Sequence, residues 1–243
     1  LSMADNLMTF KLLVKEIAHQ RGAHASFMPK PLPGVQGSGM HLNLSMFAGD
    51  ENAFYDPDDE YQLSPVGRSF LAGLLVHARE ITAVTNQWIN SYKRLVSGFE
   101  APTFVAWAHN NGSAMTRVPT RRTGKAAASR VEYRAADPAC NPYLAFSVLL
   151  AAGLAGVREG YELGPELTEN LYEVSAAERA QRSIIELPSS MGEALAEMEN
   201  SALVAEALGE HVFEWFVRNK RAEWQEYRRE VTPFELQRYL PLL

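Results

Sequence analysis

The chain has 243 residues, 47% of them hydrophobic, a net charge of −6 and a single cysteine. That length and apolar content bury one large core or two modest ones, and the acidic balance leaves no broad basic surface for a phosphate backbone, which argues against nucleic acid as a partner. No apolar run approaches the roughly 20 residues of a membrane helix, and there is neither an initial methionine nor a secretory leader, so the chain reads as a piece of a longer protein of the reducing cytosol.

From Asp5 onward, Phe10, Leu13, Val14 and Ile17 recur at helical spacing and predict a core-packed helix ending near Gly22. Residues 25–28 read as a short strand and the proline-rich residues 29–34 as a loop. Gly37 and Gly39 then free the backbone for close approach to a ligand. The alternation that follows sends His41, Asn43 and Ser45 to one face and Met40, Leu42, Leu44 and Met46 to the other, the pattern of a half-buried strand. A histidine on such a face suits a metal or phosphate position, and equally a hydrogen bond inside the core.

Residues 50–61 are acidic and rich in turn formers, which predicts a surface loop. Ser64 and Pro65 fit the N-cap and first residue of a helix through Phe70, Leu74 and Ile81 that covers one sheet face. Lys93 and Arg94 precede Gly98 and a lone carboxylate, Glu100, which by itself reads as a solvated loop charge. A second short strand places Ser113, Met115 and Arg117 on one face, and residues 120–129, with Arg121, Arg122 and Lys125, form an exposed polar loop.

Alternation at residues 131–134 aims Glu132 and Arg134 at one face and Val131 and Tyr133 at the other. Alone, the two charges read as a structural ion pair. Asp137 and Pro138 break the strand, while Asn141 and Pro142 cap and open a buried helix through Leu144, Val148, Leu150 and Leu154. Cys140 reads as a small buried side chain. Residues 167–189 form a long irregular connection. The last third is helical, with one apolar face of Leu195, Met198, Ala202 and Leu203 and another of Phe213, Phe216, Trp224 and Tyr227, interrupted near Gly209 and stopped at Thr232 and Pro233.

Three of these stretches, FMPKPLPGVQGSGMHLNLS, NSYKRLVSGFEAP and RVEYRAADPACNPYLAF, resemble the C-terminal part of the catalytic domain of glutamine synthetase, most closely the bacterial type I enzymes; weaker similarity continues to the end of the chain. The resemblance implies an α+β fold: an antiparallel β-sheet forming a concave active-site face, backed by α-helices, with a helical C-terminal region. It implies a ligase in which ATP phosphorylates the side-chain carboxylate of glutamate and ammonium supplies the nucleophile, with Mg²⁺ or Mn²⁺ assisting. By the same resemblance the partners are glutamate, ammonium and ATP, the location is the cytoplasm and the parent protein is a two-ring dodecamer.

Carried over residue by residue, His41 and Glu132 resemble metal ligands. Arg94 and Arg134 resemble the arginines that grip the glutamate carboxylates, a task that suits a forked, permanent charge. Gly37 resembles a backbone contact to the substrate amino group, while Ser45, Arg117 and Arg130 fall near ATP, Arg117 also as a catalytic charge. Glu100 resembles the carboxylate that takes a proton from ammonium and helps exclude water from the acyl phosphate.

Three departures stand beside the resemblance. Gly112 occupies a position where the family usually has an arginine, Gln36 one where asparagine is usual, and the loop at 119–129 is longer, so that Arg121, Arg122 or Lys125 are candidates to replace the missing charge. The N-terminal domain and the first acidic metal-ligand motifs do not precede Leu1, so residues 1–243 are expected to bind nucleotide weakly and not to turn over alone. Two rival readings share these motifs: a γ-glutamyl ligase using an amine or polyamine, and a non-catalytic relative serving as a binding or structural module. Tyr172 lies near where some type I enzymes are adenylylated and reads here as a packed tyrosine.

Overall fold

A computed structural model describes residues 1–98, 101–119 and 125–243. The chain opens with helix α1 (Ser2–Gln20), then runs without regular structure through the proline-rich and glycine-rich segment to strand β1 (Leu42–Leu44). A small hairpin of β2 (Phe47–Ala48) and β3 (Glu51–Asn52) follows. Helices α2 (Pro65–Val76), α3 (Ala78–Thr85) and α4 (Ser91–Arg94) lead to strands β4 (Phe104–Ala108), β5 (Ala114–Arg117) and β6 (Val131–Tyr133). The rest is helical: α5 (Pro142–Glu159), α6 (Ala176–Gln181), α7 (Met191–Glu199), α8 (Ala202–Leu208), α9 (Glu210–Tyr227) and α10 (Pro233–Tyr239). Among the described residues no helix is long and apolar enough to cross a membrane.

The main sheet has the order β1-β6-β5-β4. β6 runs antiparallel to both neighbours, with Asn43 opposite Glu132 and Arg117 opposite Glu132 on the other side. The α+β architecture is the expected one, but the sheet is mixed rather than wholly antiparallel, because β4 and β5 pair in parallel. Alternation specifies which face a side chain takes and is silent on strand direction. The four residues of β5 rise about 13 Å, a span the five residues 109–113 can cover, so no long crossover is needed.

Local sequence signals place the helices that back the sheet. Ser64 caps α2, its hydroxyl accepting from the Gly67 N–H, and Asn141 caps α5 in the same way from Tyr143 and Leu144, each followed by proline at the first helical position. α2 and α5 then pack backbone to backbone. A Cβ at Gly156 would sit 2.1 Å from the Ser69 carbonyl, and one at Gly73 would sit 2.2 Å from the Ala152 carbonyl, so both contacts require glycine. The core around them joins Phe54, Phe70, Leu71, Leu74, Ile81, Val148 and Leu149 to Val131 and Tyr133 beneath the sheet.

Several expectations change once packing is known. α1 forms, yet Phe10, Leu13 and Ile17 are each more than half exposed and only Ala4 is buried, so its apolar face is not core within this chain. Residues 25–28 carry no strand. Within 50–61, Phe54 is fully buried because Asn52 accepts its N–H and donates to the Ser129 and Ala127 carbonyls, folding the segment inward. The helix expected through Ile81 breaks at His77 into α2 and α3. In α5, Leu150 and Leu154 face out, and the buried stripe is instead Ala145, Val148, Leu149, Ala152 and Gly156. The expected Leu195–Leu203 face divides between α7 and α8, with Leu195 and Met198 buried and Ala202 exposed. Residues 167–189 include α6, and Thr232 with Pro233 opens α10 through a capping box with Glu235 rather than ending regular structure.

Candidate active site

The exposed face of the sheet collects the charges that alternation assigned to it. Register places Asn43, Arg117 and Glu132 on one side and Leu42, Leu44, Val131 and Tyr133 on the other, and continued alternation carries His41 and Arg134 to the first side. Met115, two residues before Arg117 in β5, shares the polar side by alternation and is fully buried there. Glu132 is the centre: only 5% exposed, it receives His41 Nδ1 at 2.9 Å on one carboxylate oxygen and Arg117 Nε at 2.7 Å on the other. The ion-pair reading of Glu132 with Arg134 gives way to this three-residue array, in which its partners come from the neighbouring strands.

Burial, and then the positive charge of Arg134, hold the His41 pKa below the ordinary imidazole value against the pull of Glu132. The ring is therefore neutral at neutral pH; with Nδ1–H donated to the carboxylate, Nε2 keeps its lone pair, the form in which imidazole ligates a metal. A buried carboxylate beside a neutral imidazole fits two of the donors a divalent cation takes. Among the described residues no group of three or more His, Cys, Asp or Glu side chains gathers as a metal site.

Next to this array lies a cavity of about 550 Å³. Gly37, Gly39, His41, Arg94, Gly112 and Arg134 line it, together with Gln36, Ala101 and Asn111, Ser113, Asn170 and Tyr172. Arg134 is 9% exposed; it donates to the carbonyls of Gly112 and, at 3.0 Å, Ala114. Arg94 is buried more deeply, at 4% exposure. Its guanidinium donates to three successive carbonyls, those of Arg134 (3.2 Å), Ala135 (2.8 Å) and Ala136 (3.2 Å), so the fork holds the turn that leaves β6. Gly39 and Gly37 lie against it: a Cβ on Gly39 would come within 2.5 Å of the Arg94 guanidinium, and one on Gly37 within 2.4 Å of the Pro29 carbonyl. The glycines admit the loop to the arginine, a close approach inside the protein.

Behind Arg94, burial pushes the Asp137 carboxyl above its ordinary value, opposed by the Ser91 hydroxyl, the Ala139 N–H and the Arg94 charge. Burial likewise lowers the Arg94 pKa, with Asp137 opposing. Cys140 is buried, and burial pushes its thiol up to about 12, which leaves it the packed side chain the sequence suggests.

Other expected site residues fall further out. Arg130, just before β6, donates to Asn43 Oδ1 at 2.9 Å and to the Ala128 carbonyl, and Ser45 lies exposed beyond β1, so both sit at the opposite end of β1 and β6 from Arg134. Glu100, Arg121 and Arg122 lie outside the described residues, while Lys125 is exposed. A Cβ on Gly112 would meet nothing within 4 Å. One cavity wall lies outside the sequence motifs. Residues 167–172, irregular in backbone, are held to the sheet edge: Asn111 Nδ2 donates to the Leu167 and Glu169 carbonyls at 2.9 and 2.5 Å, and Ser113 Oγ accepts from the Leu171 N–H at 3.2 Å. The one available signal was Leu171, an apolar residue among polar ones, now fully buried.

A family model described as glutamine synthetase, catalytic domain, matches residues 1–239. Glutamine synthetase of Mycolicibacterium smegmatis is 59% identical over 242 residues, covering 100% of this chain and 54% of the relative; that of Mycobacterium tuberculosis is 58% identical with the same coverage. A solved structure described as a GmaS/ADP complex superposes with a TM-score of 0.88 at 37% identity, covering 98% of this chain and 54% of that one. The chain thus spans about half the length of the curated relatives it matches. With the sheet-borne His41–Glu132–Arg117 array, the arginine-lined cavity and a match over nearly its whole length, this chain belongs to the glutamine synthetase family, within its catalytic domain.

Proposed function

We propose that this chain supplies the glutamate-gripping and part of the metal-holding machinery of an ATP-dependent ligase that joins ammonia to glutamate through γ-glutamyl phosphate. The observation that carries this reading is the adjacency of the buried Glu132, bonded by His41 and Arg117, to a cavity walled by Arg94 and Arg134. His41 and Glu132 would hold one side of a Mg²⁺ or Mn²⁺ ion, which when bound neutralises phosphate oxygens. Arg134 presents a fork to a carboxylate, Arg94 sets the turn that aims it, and Gly37 offers backbone to the amino group. Arg117, partly exposed and steered by Glu132, stabilises charge on the transferring phosphoryl group, with Arg130 and Ser45 nearer the nucleotide. Glu100 takes the proton from ammonium.

The remaining metal donors, the cytoplasmic location and the dodecameric assembly belong to the same proposal for the parent protein, as does the inactivity of the isolated chain. One observation favours a second reading. The cavity wall is open at Gly112, where a side chain would meet nothing, and that space suits an amine bulkier than ammonia as acceptor.

Titrating Mn²⁺ with ATP into the purified chain, beside Glu132→Gln and His41→Ala, tests the assignment. The expected result is weak Mn²⁺-dependent nucleotide binding that falls by at least about tenfold in either variant. Equal binding by all three proteins would remove both residues from the metal site. Ammonium-dependent phosphate release by the chain alone, from ATP and glutamate, would overturn the inactivity proposed for the isolated chain. In the parent protein, faster release with methylamine than with ammonium would favour the second acceptor.

A further inference from the structure

The wall of the cavity formed by residues 167–172 has a firm mount and one long reach. Leu167 N–H donates to the Trp107 carbonyl at 3.1 Å, Asn111 and Ser113 hold the backbone at Leu167, Glu169 and Leu171, and Leu171 itself is buried among Phe104, Ala106, Ala108 and Ala114. From that mount Tyr172 extends across to a different part of the cavity lining. Its hydroxyl donates to the Ala101 carbonyl at 2.6 Å, while its ring lies 6.0 Å from the Phe104 ring. Ala101 and Thr103 are buried without belonging to a helix or strand, and both Ala101 and Tyr172 line the cavity.

We propose that Tyr172 is a positioning residue of this cavity: its hydroxyl ties the 101–103 segment to the β4–β5 edge and thereby fixes the wall against which the substrate rests. The proposal rests on the reading of the cavity as the glutamate site. Tyrosine suits the task because a rigid ring with two side-chain torsions carries a hydroxyl across the gap with little loss of freedom. The short, half-buried hydrogen bond links two segments 71 positions apart in sequence; neither lies in a helix or strand there, and the 101–103 segment is tied at its other end, where the Thr103 carbonyl accepts from the Leu187 N–H at 2.8 Å. Packing of the ring on Phe104 and the bond made by the hydroxyl are separable, since phenylalanine preserves the first and removes the second.

The test compares the 243-residue chain with Tyr172→Phe by hydrogen exchange and by calorimetric titration of L-glutamate. The expected result is exchange at the Ala101, Thr103 and Phe104 amides faster by at least about fivefold, with a glutamate dissociation constant weaker by about five- to tenfold. The thermal midpoint should fall by no more than about 4 °C, a ceiling that loss of ring packing would exceed. Unchanged exchange overturns the tie whatever glutamate does, and faster exchange with an unchanged dissociation constant overturns the positioning role. If neither protein binds glutamate, the reading of the cavity fails, and the exchange comparison alone still decides the tie.

Discussion

Replacing Arg94 with lysine keeps a positive charge in the cavity wall and removes the fork. In the wild type the guanidinium makes three hydrogen bonds to the carbonyls of Arg134, Ala135 and Ala136, from a side chain that is 4% exposed. An ammonium on a shorter stem reaches one of these carbonyls well, so two buried acceptors lose a charged donor. At roughly 1.5–3 kcal/mol for each such bond, and taking the lower end because the turn can relax, Arg94→Lys should destabilise the chain by about 3 kcal/mol. The stronger hydration of an ammonium adds to the penalty of burying it. Urea unfolding followed by far-ultraviolet circular dichroism measures the difference directly, and a parallel glutamate titration measures the site. Loss of glutamate binding with stability unchanged to within about 0.5 kcal/mol would exclude a structural role for the fork, because Arg94 would then act on substrate and its backbone bonds would be incidental.

Two further outcomes are expected. Gly156→Ala should gain about 1 kcal/mol from helix propensity alone. The structure predicts the opposite sign, because the new Cβ lies 2.1 Å from the Ser69 carbonyl and 2.7 Å from the Gly73 nitrogen; chemical denaturation should show a net loss of about 1–2 kcal/mol, and a gain would mean that α2 and α5 are not in backbone contact. Glu80 accepts from Ser201 Oγ at 2.5 Å and from His77 Nδ1 at 3.2 Å, and the His77 bond chiefly lowers its pKa below 4.5. A carboxylate with a lowered folded pKa stabilises above its unfolded pKa and loses that contribution as pH falls through the folded value. Glu80→Gln should therefore cost about 1 kcal/mol at pH 7, after allowing for partial exposure, and progressively less below about pH 4.5. A difference that is flat from pH 7 to pH 3 would exclude the linkage.

The parts of this molecule legible in the sequence are those written in short-range physical terms. Alternation at 40–46 and 131–134 predicts which side chains share the polar face; register bears it out for Asn43 and Glu132, and the bond from His41 Nδ1 to Glu132 bears it out for His41. Ser64 and Asn141 announce the helices they cap, since a cap and the N–H groups that donate to it lie within three residues of one another. The motif resemblance identified the family because those stretches are long and ordered. Gly37 and Gly39 pointed to close approach, and the partner they approach within the fold is Arg94.

What the sequence left open depends on partners distant along the chain. Periodicity showed that α1 and α5 have apolar stripes and could not show that Phe10, Ile17, Leu150 and Leu154 stay exposed, because burial requires a second surface that the pattern does not name. Strand direction between β4 and β5 has no local signature. The link of Arg94 to the 134–136 carbonyls spans 40 or more positions, and that of Tyr172 to Ala101 spans 71. Composition and spacing thus set the faces, the caps and the kinds of chemistry present, each a property of neighbouring residues. Tertiary packing alone decided which arginine holds a turn, which segment closes the cavity and which two partners Glu132 keeps, because hydrogen bonds form between groups that meet in space whatever their separation along the chain.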